Sequence, residues 1–172
     1  VPGYPCAMVS LPDALTGAAA GRQQLPREVM EEHQRDRVIA AAIEVFAKRG
    51  YPATTVDHLV EASQTGVGSF YALFDGKEGC MLRAFDRVVS EASERISAAI
   101  PPDRPWVERV CAALRALLDF VAAEPLAARV AVVEVQTAGP RALAHYEETL
   151  ERADALLREG RSLGAHGAEL PR

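Results

Sequence analysis

Residues Thr54–Lys77 read TTVDHLVEASQTGVGSFYALFDGK, and how this stretch folds decides the rest. Thr54-Thr55-Val56-Asp57 is a Thr-x-x-Asp pattern close to a capping box, so a short helix is expected to begin there. Val56, Leu59, Val60 and Ala62 give that helix an inward face. Gln64 to Gly66 form a turn, and Gly66 to Phe74 make a second short helix carrying Ser69, Phe70 and Tyr71. Phe70, Leu73 and Phe74 can pack inward while Val67, Ser69 and Tyr71 stay outside. Gly68 weakens an isolated helix by about 1 kcal/mol relative to Ala, and it suits a place where another backbone or a phosphate comes close. Two short helices joined this tightly build little core, but they present one helix well to a groove.

Upstream, Arg27 to Arg49 is one amphipathic helix. Val38, Ile39, Ala42, Ile43 and Phe46 recur at i, i+3/i+4 spacing with charges opposite. Lys48 and Arg49 suit its C-terminal dipole, and Gly50-Tyr51-Pro52 stops it. Residues 1–26 hold four prolines and three glycines with no sustained period, and are expected to form a flexible arm.

Downstream, Lys77 to Ile100 keeps an apolar stripe through Met81, Phe85, Val88, Val89, Ala92 and Ile96, and Pro101-Pro102 ends it. Pro105 opens a helix through Trp106, Val110, Leu114, Leu117, Leu118 and Val121. Pro125 opens the next, apolar nearly all round (Leu126, Val130, Val132, Val133, Val135), which predicts a helix buried in the middle of a bundle. After Gly139-Pro140 a last helix runs through Leu143, Tyr146, Leu150 and Leu157 to Gly160. The expectation is all-α: seven main helices, no strands and no internal repeat.

Composition narrows the function. The chain of 172 residues is 49% apolar and 25% charged, that of a globular protein. Its formal net charge of −5 argues against indiscriminate binding to nucleic acid or anionic membrane. Within residues 27–77, Arg27, Arg35, Arg37, Lys48, Arg49 and Lys77 stand against eight Asp and Glu, so this segment is close to neutral. Any affinity for DNA must come from a few placed contacts and from pairing two such segments. Cys6, Cys80 and Cys111 lack a paired spacing and read as reduced thiols. No apolar run approaches the ~20 residues of a membrane span, and the N-terminus has no basic n-region. A cytoplasmic protein is expected.

A resemblance sharpens this. Phe46-Ala47-Lys48-Arg49-Gly50-Tyr51 before Thr54-Thr55-Val56, then Gly68-Ser69-Phe70-Tyr71-Ala72-Leu73-Phe74 before Lys77-Glu78, is similar to the N-terminal signature of TetR-type transcriptional regulators. The resemblance implies an N-terminal three-helix helix-turn-helix DNA-binding head at 27–77. Beyond it would lie a helical regulatory bundle at 78–172 for ligand and dimerisation, apparently lacking its last helices. It implies that Thr54 or Thr55 caps the second helix and touches phosphate. Val67, Gly68 and Ser69 would face base edges or backbone, and Tyr71 and Lys77 would meet phosphates. It implies a homodimer on a palindromic operator, released by a small apolar effector. Phe85, Trp106, Cys111, Leu114, Gln136 and Tyr146 are the candidate effector lining.

The chain departs from that pattern where Gln64-Thr65-Gly66 replaces Gly-Val-Ser, where Val67 stands for a polar residue, and at Leu73. These departures and the near-neutral charge support the alternative of a helical ligand-binding or protein-interaction module that no longer binds DNA. Catalytic patterns fail. Gly66-x-Gly68 lacks its third glycine and Gly76-Lys77 lacks the phosphate-loop spacing. Ser69 has no nucleophile elbow, and the histidines show no metal spacing. Neither enzyme activity nor a cofactor is expected.

Overall fold

A computed structural model describes residues 27–163; the N-terminal arm expected at 1–26 lies outside the described residues. Among the described residues the chain forms seven α-helices and no strand. They are α1 (Arg27–Arg49), α2 (Val56–Ser63), α3 (Val67–Leu73), α4 (Gly76–Ala99), α5 (Trp106–Ala123), α6 (Pro125–Arg129) and α7 (Pro140–Leu163). A π-turn (Val130–Glu134) and a 3-10 turn (Val135–Thr137) continue α6 towards α7. The last helix runs past Gly160, its expected end, to Leu163.

The stripe on α1 is the spine of the molecule. Val38, Ala42 and Phe46 are fully buried, and Ile39 and Ala47 nearly so. They pack with Leu59 of α2, Phe70 and Phe74 around α3, and Cys80, Met81, Ala84 and Phe85 of α4 in one continuous core. A fully buried Phe or Leu contributes roughly 1.5–3 kcal/mol, so these few side chains fix the two short helices, α2 and α3, against the two long ones. Helix α1 also packs on α6 and the π-turn, so it serves both ends of the molecule.

The segment Pro125–Val135 corrects a sequence expectation. Val130 and Val135 are buried, but Leu126, Val132 and Val133 are 37%, 54% and 49% exposed. Its inner side meets α1, α4 and α5, and none of the described residues covers its outer side. The same holds for Leu114 and Leu118 on α5 and for Leu143, Leu150 and Leu157 on α7, all exposed. An apolar run that is hydrophobic all round has two faces to hide, and the described residues hide one.

Two glycines with left-handed backbone, Gly50 (φ +82°) and Gly139 (φ +119°), lie where elements from the two halves meet. A Cβ on Gly50 would stand 3.5 Å from Glu134 Oε2, and one on Gly139 would stand 3.0 Å from Glu78 Oε1. That Glu78 oxygen is buried and has no hydrogen-bond partner among the described residues.

Candidate nucleic-acid interface

Helix α3 is built to show one side. Phe70 is fully buried and Phe74 nearly so, their rings 5.3 Å apart. Val67 is 48% and Tyr71 58% exposed. Gly68 is exposed with nothing within 4 Å of where its Cβ would be, and Ser69 is half-buried. Tyr71 leans edge-on against Phe70, centroids 5.6 Å apart, which leaves its hydroxyl outermost. Phe70 and Phe74 lie inward and Val67 and Tyr71 outward as expected, whereas Leu73 and Ser69 are both half-buried.

The turn before α3 explains how it is aimed. Helix α2 closes as a Schellman motif: Thr65 N–H donates to Val60 O (3.1 Å) and Gln64 N–H to Glu61 O (3.2 Å). Gln64 takes the left-handed conformation (φ 53°, ψ 41°) that glycine usually fills there. Ser63 Oγ donates to Leu59 O (2.6 Å) and lies 2.8 Å from Thr65 Oγ1, so side chains brace the turn from inside. Gly66 then caps α3 without a side chain.

At the start of α2 the capping box exists in another frame. Thr55, not Thr54, is the N-cap, and its partner is His58, not Asp57. Thr55 Oγ1 accepts from His58 N–H (3.3 Å) while His58 Nδ1 accepts from Thr55 N–H (3.1 Å). Thr54 is 1% exposed and its hydroxyl donates to Gly50 O (2.8 Å), so it is a core residue and its side chain is withdrawn from any phosphate. Arg49 Nη2 lies 3.2 Å from His58 Nε2, which brings a cation to the α2 N-terminus. The sequence signal for it was Lys48-Arg49, read there only as a dipole partner.

Lys77 is more committed than its sequence reading implied. Its ammonium donates to Tyr51 O (2.9 Å) and Thr54 O (2.8 Å) and stands 4.1 Å above the Tyr51 ring. Burial lowers its pKa from the ordinary lysine value. Two of its three N–H groups therefore tie α4 to the turn before α2. The Tyr51 phenol is pushed up, first by burial and then by the charge of Glu78.

The end of α1 and the two short helices α2 and α3 thus hold an exposed pair of helix starts on one side of a small core, the geometry of a helix-turn-helix. Residues 38–84 match the family model described as bacterial regulatory proteins, tetR family. Over that segment the chain is similar to this family. The chain is 31% identical over 91 residues to the uncharacterized HTH-type transcriptional regulator YhgD of Bacillus subtilis, covering 53% of this chain and 48% of that one. A tetR-family regulatory protein from Rhodococcus RHA1 superposes with a TM-score of 0.67 at 26% identity, over 77% of this chain and 70% of that one. The regulator FadR from Bacillus subtilis, solved with stearoyl-CoA, shares the fold at TM-score 0.68 and 20% identity, over 80% and 74%. The chain spans less than half the length of the curated relatives it matches.

Beyond the head, the candidate effector residues do not form one lining. Phe85 is buried and meets Tyr146 edge-on at 6.1 Å. Trp106 is half-buried, whereas Cys111 and Leu114 are exposed on α5. Gln136 is exposed and turns its amide back on Val132 O. A cleft of about 540 Å³ lies elsewhere, between the end of α3, α4 and α7. Its walls mix apolar side chains such as Leu73 and Leu82 with charged ones. Arg141 pairs with Asp75 (3.1 Å), and Asp86 meets both His145 (2.6 Å) and Arg83 (3.8 Å). Such exposed pairs each contribute at most about 1 kcal/mol. No helix among the described residues is long and apolar enough to cross a membrane.

Proposed function

We propose that this DNA-binding transcriptional regulator is a ligand-responsive repressor, acting as a homodimer on a palindromic operator in the cytoplasm. The observation that carries the reading is the division of α3 into buried Phe70 and Phe74 and exposed Val67, Gly68 and Tyr71. That division serves no core purpose and suits a groove. In this reading residues 27–77 are the head and the helices from α4 onward the regulatory part. Val67, Gly68 and Ser69 face base edges or backbone. Thr55 and Tyr71 donate to phosphates, and Lys77 adds its remaining N–H. Two heads set ~34–36 Å apart would read successive turns of one duplex face. A small apolar effector favours a state with the wrong separation, and it does so only by differential affinity for the two states.

Selection from random duplexes with the purified protein tests the reading. A palindromic consensus is expected, with affinity falling steeply as salt rises. Tyr71→Phe should weaken every selected duplex about tenfold without changing their ranking, and Val67 or Ser69 substitutions should change the ranking. No enrichment at any salt concentration would leave the helical module without DNA binding as the better reading. Effectors are sought by thermal shift, because a native-state binder raises the melting point. Stearoyl-CoA belongs in the panel because the FadR neighbour was solved with it.

A further inference from the structure

Glu134 is a charged side chain on an apolar segment, and it is 3% exposed. A carboxylate this deep is costly unless its oxygens are satisfied. Both are. Oε2 accepts from the backbone N–H of Tyr51 (2.8 Å), 83 residues away, and Oε1 accepts from Arg129 Nε (3.0 Å). The residue it reaches, Tyr51, lies between α1 and α2, and its own carbonyl oxygen is already held by Lys77. Tyr51 is thus clamped at its N–H by the π-turn after α6 and at its C=O by the start of α4.

The backbone that aims Glu134 is unusual. Val130–Glu134 is a π-turn, closed by Val135 N–H to Val130 O, and a 3-10 turn follows at once. Carbonyls released by these changes of register are taken up by side chains, Thr137 Oγ1 donating to Glu134 O (2.8 Å). A π-turn carries one more residue per turn than its neighbours. If it relaxes to α geometry, the side chain at its end swings by roughly 100°. Glu134 would then leave Tyr51.

We propose that Glu134 is a positioning residue through which the regulatory helices hold the head, and that the π-turn is where the hold is released. The proposal rests on the regulator reading and adds the contact by which regulation reaches the DNA-binding face.

The test uses the full chain with two substitutions, Glu134→Ala and Glu134→Gln, and two measurements. The first needs no DNA. Spin labels at Val67→Cys and Leu150→Cys, with Cys6 and Cys111 changed to Ser, report the distance between head and α7. A single narrow distance is expected in the parent, a broadened or displaced one in Glu134→Ala, and near-parent behaviour in Glu134→Gln, whose amide oxygen can still accept from Tyr51. Exchange of the Tyr51 amide should quicken at least tenfold in Glu134→Ala. The second measurement is affinity for a selected duplex well below the melting point. Glu134→Ala should lose at least tenfold with an unchanged salt slope, because no phosphate contact is removed, and Glu134→Gln should recover most of it. Unchanged label distances and unchanged Tyr51 exchange in a folded Glu134→Ala protein would overturn the proposal. If Glu134→Ala does not fold, a Glu134→Gln protein with displaced labels would also overturn it. Failure of the parent to bind any duplex would instead strike the regulator reading and leave the distance result standing.

Discussion

The ammonium of Lys77 stands 4.1 Å above the ring of Tyr51 while donating to that residue's own carbonyl oxygen at 2.9 Å. One side chain therefore reads both the face and the backbone of its partner. Lys77→Ala should lower stability by about 2 kcal/mol, through lost charge-assisted bonds and the cation–π contact. Urea unfolding without DNA measures it. An unchanged midpoint would mean that Lys77 serves only phosphate.

Gly66 caps α3 with no side chain, at φ −81° and ψ 150°, angles any residue adopts. A hydroxyl there can accept from the free N–H groups of the first turn. Gly66→Ser should stabilise the fold by roughly 0.5 kcal/mol and tighten operator binding by holding Val67 and Gly68 in place. Denaturation and a duplex titration give both values.

Gln64 sits in the left-handed region, which costs an L-residue about 1–2 kcal/mol. Gln64→Gly removes that cost but returns up to about 1 kcal/mol of chain entropy to the unfolded state. The net expectation is a gain of about 0.5–1 kcal/mol, read from the thermal midpoint.

Burial pushes the Cys80 thiol from 9.0 up to about 12. In the folded protein it stays protonated at pH 8, and a thiol reagent should modify exposed Cys111 readily but Cys80 only on unfolding. The linkage follows from the direction of the shift. Above pH 9 the unfolded chain releases this proton and the folded chain keeps it, so stability falls as pH rises from about 9 to 12. The slope from this group approaches 1.4 kcal/mol per pH unit. Cys80→Ala should flatten that part of the profile.

How much of this was legible in the sequence depended on the range of the interaction. Periodicity placed all seven helices, because an amphipathic stripe is a local record of where the core lies. It also sorted Phe70 and Phe74 from Val67 and Tyr71. The capping box came out one frame off. Thr54 and Thr55 are chemically alike, and only packing against Gly50 shows which hydroxyl is spent in the core. His58 was passed over because imidazole is an uncommon third residue in such a box. The all-round apolar run after Pro125 was read as central, since sequence counts faces and not neighbours. Glu134 was the missed signal, the one acidic residue within that run, with a backbone partner 83 residues away. No local pattern records such a distance.

Two of the glycines with left-handed backbone, Gly50 and Gly139, bear on how this molecule tolerates change. Each lies against a glutamate from another helix, Gly50 against Glu134 and Gly139 against Glu78. A side chain at either position would meet an unfavourable backbone angle, and at Gly139 also a carboxylate oxygen 3.0 Å from its Cβ. In a saturation scan scored only for folding, the deepest depletion is expected at this seam, while the exposed side of α3 accepts broad replacement. Residues that choose a sequence can then drift without loosening the frame that carries them, so new specificities can arise on an old hinge.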